Sequence, residues 1–265
     1  MAITRILGQL ATDHWPLTTL FHFRDPTNAW THLVWMVLAI PATILLWRRS
    51  RGDRPKQISL LVFGLGTIAC FGSSGVYHAV HGSEERLRFF VSFDHMGIYV
   101  LIAASCTGIA FSLLERRWRN TVLLGVWLAA SAGIACRLLP AEIPQWLNPI
   151  LYLVMGWALA SCHPQLVRAV GARPVRLVWL GGLFYTLGAG FFIARWPVGW
   201  PGYFGAHELL HICDMAGNLV HFLFIWWYVV PFDRVGHLRK AKGALTLPAE
   251  EVPAGIGNQT NPAPI

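Results

Sequence analysis

Seven long apolar runs, separated by short segments rich in Arg, Pro and Gly, constrain this 265-residue chain more than any other feature. A helix needs about 20 apolar residues to span the hydrocarbon core of a bilayer, and each run reaches or nearly reaches that length. The runs cover residues 29–47, 58–80, 92–114, 120–138, 147–167, 177–195 and 206–230. A backbone in lipid must satisfy its own hydrogen bonds, so each run is predicted to be helical. The predicted fold is all-α, a seven-transmembrane helix bundle.

The composition also favours a membrane protein. Hydrophobic residues make up 55% of the chain and charged residues only 13%, too few to cover a soluble protein of this size. The net charge of +8 lies in the loops, which indicates contact with the headgroups of a lipid bilayer, and nothing in the sequence indicates nucleic acid. The five cysteines lie inside the runs without C-x-x-C spacing, so they are predicted to be buried apolar residues.

Three segments follow from these patterns. Residues 1–28 contain an apolar stretch that is too short and broken to span, and they are predicted to form an interfacial segment. Residues 29–230 form the seven-helix transmembrane domain. Residues 231–265 are basic at first and then rich in Pro, Gly, Asn and Ala, which predicts a disordered tail.

The last run carries a polar stripe on an otherwise apolar helix. His207, His211, Asp214, Asn218 and His221 follow helical spacing, so they share one face. Such a face must contact a protein interior or a wet cavity, because lipid cannot solvate it. Two histidines one turn apart can bind one metal ion.

Counting membrane crossings predicts where further ligands come from. With seven spans, the end of the second run and the starts of the third and seventh lie at one membrane face. The densest polar residues of the chain lie there: Ser74 and His78, then Asp94, then His207 and His211. Alone, Asp94 would more readily be a helix cap at the first turn of its run. The coincidence of all five at one face predicts an assembled site instead.

The residue types at this face point to zinc. Three neutral imidazoles with a water in the fourth position are the pattern of a catalytic Zn²⁺ site, and the predicted ligands are His78, His207 and His211. Asp94 is predicted to hold or deprotonate the water, with Ser74 as a hydrogen-bonding partner of the substrate, the water or the aspartate. Other polar residues are predicted to orient these groups: His95, Tyr99, Asp214 and His221. For His95 and His221, spare polar groups or a proton path are alternatives, and His32 is interpreted as structural.

The same motifs resemble a known family. Ser-x3-His at 74–78, Asp94-His-x3-Tyr99 and His-Glu-x2-His at 207–211 are similar to the hemolysin III / progestin and adipoQ receptor family. Thr31-His32, Tyr185-Thr-Leu-Gly and Phe204-Gly-Ala-His-Glu add to the likeness, which covers roughly 29–230. One departure is Met96-Gly97, where small polar and alanine residues are expected.

The resemblance implies seven spans and a zinc ion bound by His78, His207 and His211, with Asp94 on the metal-bound water. Relatives in the wider superfamily are alkaline ceramidases, so the implied reaction is hydrolysis of a lipid amide. Bacterial members of the family carry the name hemolysin, which implies a cytolysin.

Three functions are compatible with these residues. The first is a membrane-embedded zinc hydrolase that cleaves an amide or ester of a lipid substrate whose acyl chain enters laterally. The second is an intramembrane metalloprotease, because His207-Glu-Leu-Leu-His211 matches H-E-x-x-H and would make Glu208 the base. The third is a non-enzymatic receptor, channel or cytolysin with a structural zinc. The sequence fixes neither the substrate nor the oligomeric state.

Loop charge predicts the orientation in the cell (inner) membrane. Six Lys and Arg residues lie on the N-terminal side of the predicted bundle and 15 on the opposite side. By the positive-inside rule the N-terminus is outside and the C-terminus is in the cytoplasm, whereas the receptor relatives imply a cytoplasmic N-terminus.

We expect a reporter protein that works only in the cytoplasm to be active when it is fused after residue 240. Activity only of a reporter that requires export would contradict this orientation.

Overall fold

The computed structural model describes residues 23–138, 147–199, 204–234 and 236. All regular elements among these residues are helical. Most of the predicted interfacial segment 1–28 and of the predicted tail 231–265 lies outside the described residues. The chain divides after Phe232, and the bundle is the unit that ends there.

Seven helices are long and apolar enough to cross a membrane, which confirms the predicted fold class. They are α1 (Pro26–Arg49), α2 (Arg54–Ala79), α3 (Glu84–Leu113), α4 (Arg116–Leu138), α5 (Leu147–Val170), α6 (Ala172–Ala194) and α7 (Ala206–Val229). Most of the helix ends lie within about a turn of the ends of the apolar runs. The hydropathy pattern therefore located the spans correctly.

α3 begins earlier than its apolar run. Its first turn carries Glu84 and Glu85, so hydropathy alone does not reveal it. Ser83 caps this turn by accepting a hydrogen bond from the Arg86 N–H at 3.3 Å. Asp94 consequently lies inside α3, well past the first turn, and the alternative in which it caps the helix is wrong.

Two spans are irregular. α5 is interrupted by a 3₁₀ segment, Trp157–Cys162, and resumes at His163. Pro164 accounts for the interruption, because proline has no N–H to donate and its ring clashes with the carbonyl one turn earlier. α7 ends in a π-helical turn, Ile225–Val229.

Small residues let the helices approach closely. α3 is the most enclosed span, and its Ala103 and Ala104 are fully buried. A Cβ added at Gly66 of α2 would overlap the side chain of Ala104. At the α6–α7 contact, a Cβ at Gly188 would lie 2.9 Å from the Cβ of Cys213. Close packing of small residues is how helices associate in lipid.

The outer surface of the bundle is apolar, as contact with a lipid bilayer requires. Exposed large side chains include Val37, Leu128 and Val154. Four of the five cysteines are buried, as predicted, but Cys136 is exposed. Its position near the end of α4, the least buried of the seven spans, accounts for the difference.

Candidate metal centre

The C-terminal end of α2 and the N-terminal end of α7 bring three histidines together. His78 is next to the last residue of α2, while His207 and His211 are one turn apart at the start of α7. The ring centroid of His78 lies 5.0 Å from that of His207 and 4.8 Å from that of His211. One potential ligand atom from each residue lies within 4.8 Å of the other two, a grouping that can hold a metal ion.

The donor set suits a metal that prefers nitrogen. His78 is 1% exposed and His211 is 4% exposed. Among the described residues, neither Nε2 of His78 nor Nδ1 of His211 has a hydrogen-bond partner. Leaving a buried polar atom unsatisfied costs roughly 1–3 kcal/mol, and coordination would remove that cost at Nε2 of His78. The three residues therefore fit a metal ion in both spacing and chemistry.

Asp25 contacts the triad from outside, a contact that the sequence reasoning missed. Its Oδ2 lies 2.9 Å from Nδ1 of His78. The same oxygen accepts hydrogen bonds from Nε and a terminal nitrogen of Arg24, at 3.0 and 2.9 Å. Burial alone would raise the pKa of Asp25, but the hydrogen bond from His78 and the charge of Arg24 outweigh it, so this pKa lies below its ordinary value.

Ser74 and Asp94 lie beside the triad. Ser74 and His78 are both close enough to the Asp94 carboxylate to interact with it electrostatically. Asp94 is 9% exposed, and Ser74 one turn before His78 is 3% exposed. Ser74 and Asp94 line the same cavity as His207 and His211. The structure thus gathers all five residues that the crossing argument placed at one face.

His32 also lies at the triad, although the sequence suggested only a structural residue. Its ring stacks on that of His211, with centroids 3.8 Å apart and planes 27° apart. Both of its ring nitrogens are buried without a hydrogen-bond partner among the described residues. The available signal was position: Thr31-His32 lies near the start of α1, at the same end of the bundle as His78.

The other predicted residues lie in different places. His95 and Asp214 line the cavity near the triad. His221 lines it further along α7, where its Nε2 lies 3.2 Å from the Val178 carbonyl. Tyr99 is separate: its hydroxyl donates to Oδ1 of Asn148 at 3.4 Å, and its ring packs on Tyr152. Tyr99 thus joins α3 to α5, and its predicted role at the ligands has no contact in support of it among the described residues.

Glu208 points away from the cavity. Its Oε1 accepts a hydrogen bond from Nδ2 of Asn28 at 3.0 Å, which ties α7 to the start of α1. Glu208 is buried, and it is not among the residues that line the cavity. A base must reach the reacting water, so this position disfavours Glu208 as the base of a metalloprotease.

The cavity beside the triad has a volume of about 970 Å³. Its lining combines His207, His211 and Asp94 with apolar side chains of α3 and α5. These apolar residues include Leu101, Ile102, Leu153 and Leu159. This size is typical of ligand pockets, which are mostly apolar with few polar groups.

Known proteins resemble this chain over most of its length. The sequence profile described as Haemolysin-III related matches residues 21–222. Hemolysin-3 of Bacillus cereus is 25% identical over 222 residues, which cover 83% of this chain and 98% of that protein. The Hemolysin-3 homolog of Bacillus subtilis (strain 168) is 28% identical, covering 77% and 93%. Monocyte to macrophage differentiation factor of Rattus norvegicus is 29% identical, covering 82% and 90%.

We expect the triad to be the metal site. Purified protein should contain about one zinc per chain, and His211→Ala should lose it because two imidazoles alone bind weakly. His163→Ala is the matched control, since His163 accepts a hydrogen bond from Trp179 and is not itself among the residues that line the cavity. Metal content by mass spectrometry is the measurement. Full zinc in His211→Ala, or equal loss in His163→Ala, would contradict the assignment.

Proposed function

The chain belongs to the haemolysin-III related family of membrane proteins, and on that premise we propose that it is a zinc-dependent hydrolase. Its substrate would be an amide or ester of a lipid, cleaved inside the membrane. One observation carries the proposal: three imidazoles lie within 4.8 Å of one another, and two of them line a large cavity together with Ser74 and Asp94.

The ligand count supports a catalytic rather than a structural site. Among the described residues, the group contains three histidines and no fourth His, Cys, Asp or Glu. Structural zinc sites are closed by four protein ligands, whereas catalytic sites keep one position open. Zinc, when bound, supplies a Lewis acid and lowers the pKa of a coordinated water to about 7.

Asp94 supplies the proton acceptor. It lies on α3, lines the same cavity as His207 and His211, and interacts electrostatically with His78. Ser74 interacts with this carboxylate, and its hydroxyl would hold the carboxylate in one orientation. After accepting a proton, Asp94 can return it to the leaving nitrogen or oxygen of the substrate. Because a hydroxyl has one hydrogen, Ser74 would donate to a developing oxyanion only when it does not donate to Asp94.

The cavity favours a lipid substrate. Its polar end would hold the scissile amide or ester, and its apolar walls would enclose an acyl chain. Trp157 of α5 lines the cavity, is 40% exposed and lies next to Gly182 of α6. We propose that a lipid enters the cavity from the bilayer past this α5–α6 contact. With the N-terminus outside, the triad would lie at the outer face of the inner membrane.

A second candidate function is non-enzymatic. Two Bacillus relatives carry the name Hemolysin-3, which favours a cytolysin or pore for this chain. In that case the triad would bind a structural ion. Lysis of vesicles by purified protein that continues after chelation would favour this function over the hydrolase. The metalloprotease is the weaker alternative, because Glu208 is engaged with Asn28.

We expect Asp94→Asn to lower hydrolysis of fluorescent amide or ester lipids about 10²- to 10⁴-fold while zinc is retained, since the variant lacks the proton acceptor. Glu208→Gln is the matched control: it removes one carboxylate but preserves the hydrogen bond from Asn28. Turnover and zinc content are measured on the same preparations. No hydrolysis by the zinc-loaded wild type, or unchanged turnover in Asp94→Asn, would refute the hydrolase. Activity lost only in Glu208→Gln would identify Glu208, and not Asp94, as the base.

A further inference from the structure

Asp25 uses its carboxylate in an unusual way for a residue at a helix start. It occupies the N-cap position of α1, where an aspartate usually accepts a hydrogen bond from its own helix. Here the side chain makes no capping bond. Its Oδ2 is instead directed at Nδ1 of His78, on a different helix, at 2.9 Å. The carboxylate is thus committed to the histidine and to Arg24.

We propose that Asp25 is a positioning residue for the metal centre, fixing the ring and tautomer of His78 so that its Nε2 faces the ion. This inference rests on the proposed function only in requiring that the triad binds zinc. With a zinc ion bound, Asp25 and His78 would form a carboxylate–histidine–metal arrangement. Partners of this kind raise the basicity of the ligand and hold its ring in place.

The tautomer follows from the donors and acceptors. An ionised carboxylate only accepts hydrogen bonds, so Nδ1 of His78 must carry the proton. A neutral imidazole has one N–H, which leaves Nε2 as a free lone pair. That Nε2 is fully buried and has no hydrogen-bond partner among the described residues. The lone pair is therefore available for a metal and for no other described group.

Two further contacts fix Asp25 itself. Its backbone N–H donates to the carbonyl of His78 at 3.0 Å, so backbone and side chain both attach to the same residue. Arg24 holds Oδ2 from the other side, and its guanidinium lies 4.3 Å from the ring centroid of Tyr77. The contact between Arg24 and Oδ2 of Asp25 is an ion pair at 2.9 Å. The start of α1 and the end of α2 are thereby joined at the metal ligand.

A purely structural link between α1 and α2 would use the same contacts, so the experiment must separate the two roles. A structural link stabilises the protein with and without metal. A positioning residue acts on zinc affinity, and loss of such partners typically weakens metal binding about 10- to 100-fold. Zinc affinity by chelator competition and the thermal midpoint of the metal-free protein therefore give different answers.

The variants are Asp25→Asn and Asp25→Ala in the full-length protein. The Asn amide oxygen can still accept from Nδ1 but without a charge, whereas Ala removes the contact. The matched control is Glu84→Gln, which removes an acid at the start of α3 that lies 3.6 Å from Arg88 and is largely exposed. We expect zinc affinity to fall in the order wild type, Asp25→Asn, Asp25→Ala, by about 10- to 100-fold overall. Glu84→Gln should match wild type.

The outcomes are distinguishable. Unchanged zinc affinity in both Asp25 variants overturns this inference alone, whether or not the metal-free midpoint falls. Absence of triad-dependent zinc in the wild type overturns this inference and the proposed function together. Graded loss of affinity with an unchanged midpoint of the metal-free Asp25→Asn protein supports the positioning role. The Co²⁺ absorption spectrum of Asp25→Asn should also shift, because the orientation of one ligand changes.

Discussion

Imidazole nitrogens that cannot reach water are the constraint from which the rest of this structure follows. His32, His78 and His211 pack ring against ring at one end of a membrane bundle, and each has at least one buried nitrogen without a partner among the described residues. A low-dielectric interior makes such atoms expensive, and several in contact cannot all be satisfied by one another. The proposed metal ion, held by His78, His207 and His211, would take up the unpartnered Nε2 of His78. The apolar cavity beside them then becomes a place where a reaction can be shielded from bulk water.

The helix contacts place these rings at one depth. α2 and α3 pack closely through Gly66 and Ala104, and this contact sets Ser74 against Asp94. α6 and α7 pack through Gly188 and Cys213, which fixes the start of α7 and its two histidines. Small residues are thus needed at both pairs of helices. The outer face of the bundle can remain apolar because the polar side chains are collected inside.

Much of this could be predicted from sequence, for physical reasons. Spanning helices need long apolar runs, so their number and approximate ends were predictable. The parity of seven crossings was enough to group Ser74, His78, Asp94, His207 and His211, because it depends on topology and not on side-chain detail.

What the sequence could not provide was direction and local pairing. Asp25 precedes a proline at a helix start, so it looks like an ordinary cap, and only the meeting of α1 with α2 reveals its contact with His78. Tyr99 shares a motif with Asp94 but points to Asn148, since five residues along a helix turn the side chain away. Glu208 lies between the two histidines of α7 and still faces Asn28. Because the first turn of α3 is charged, the hydropathy pattern placed the start of this helix too late. Asp94 therefore lies further inside the helix than the apolar run indicated.

The most direct test of the central claim is X-ray absorption spectroscopy at the zinc edge on the purified, zinc-loaded protein. The account predicts three imidazole nitrogens and one oxygen, with distances of about 2.0–2.1 Å. A sulfur ligand at about 2.3 Å, or a shell with fewer than three imidazoles, would show that the convergence of His78, His207 and His211 is not the metal site.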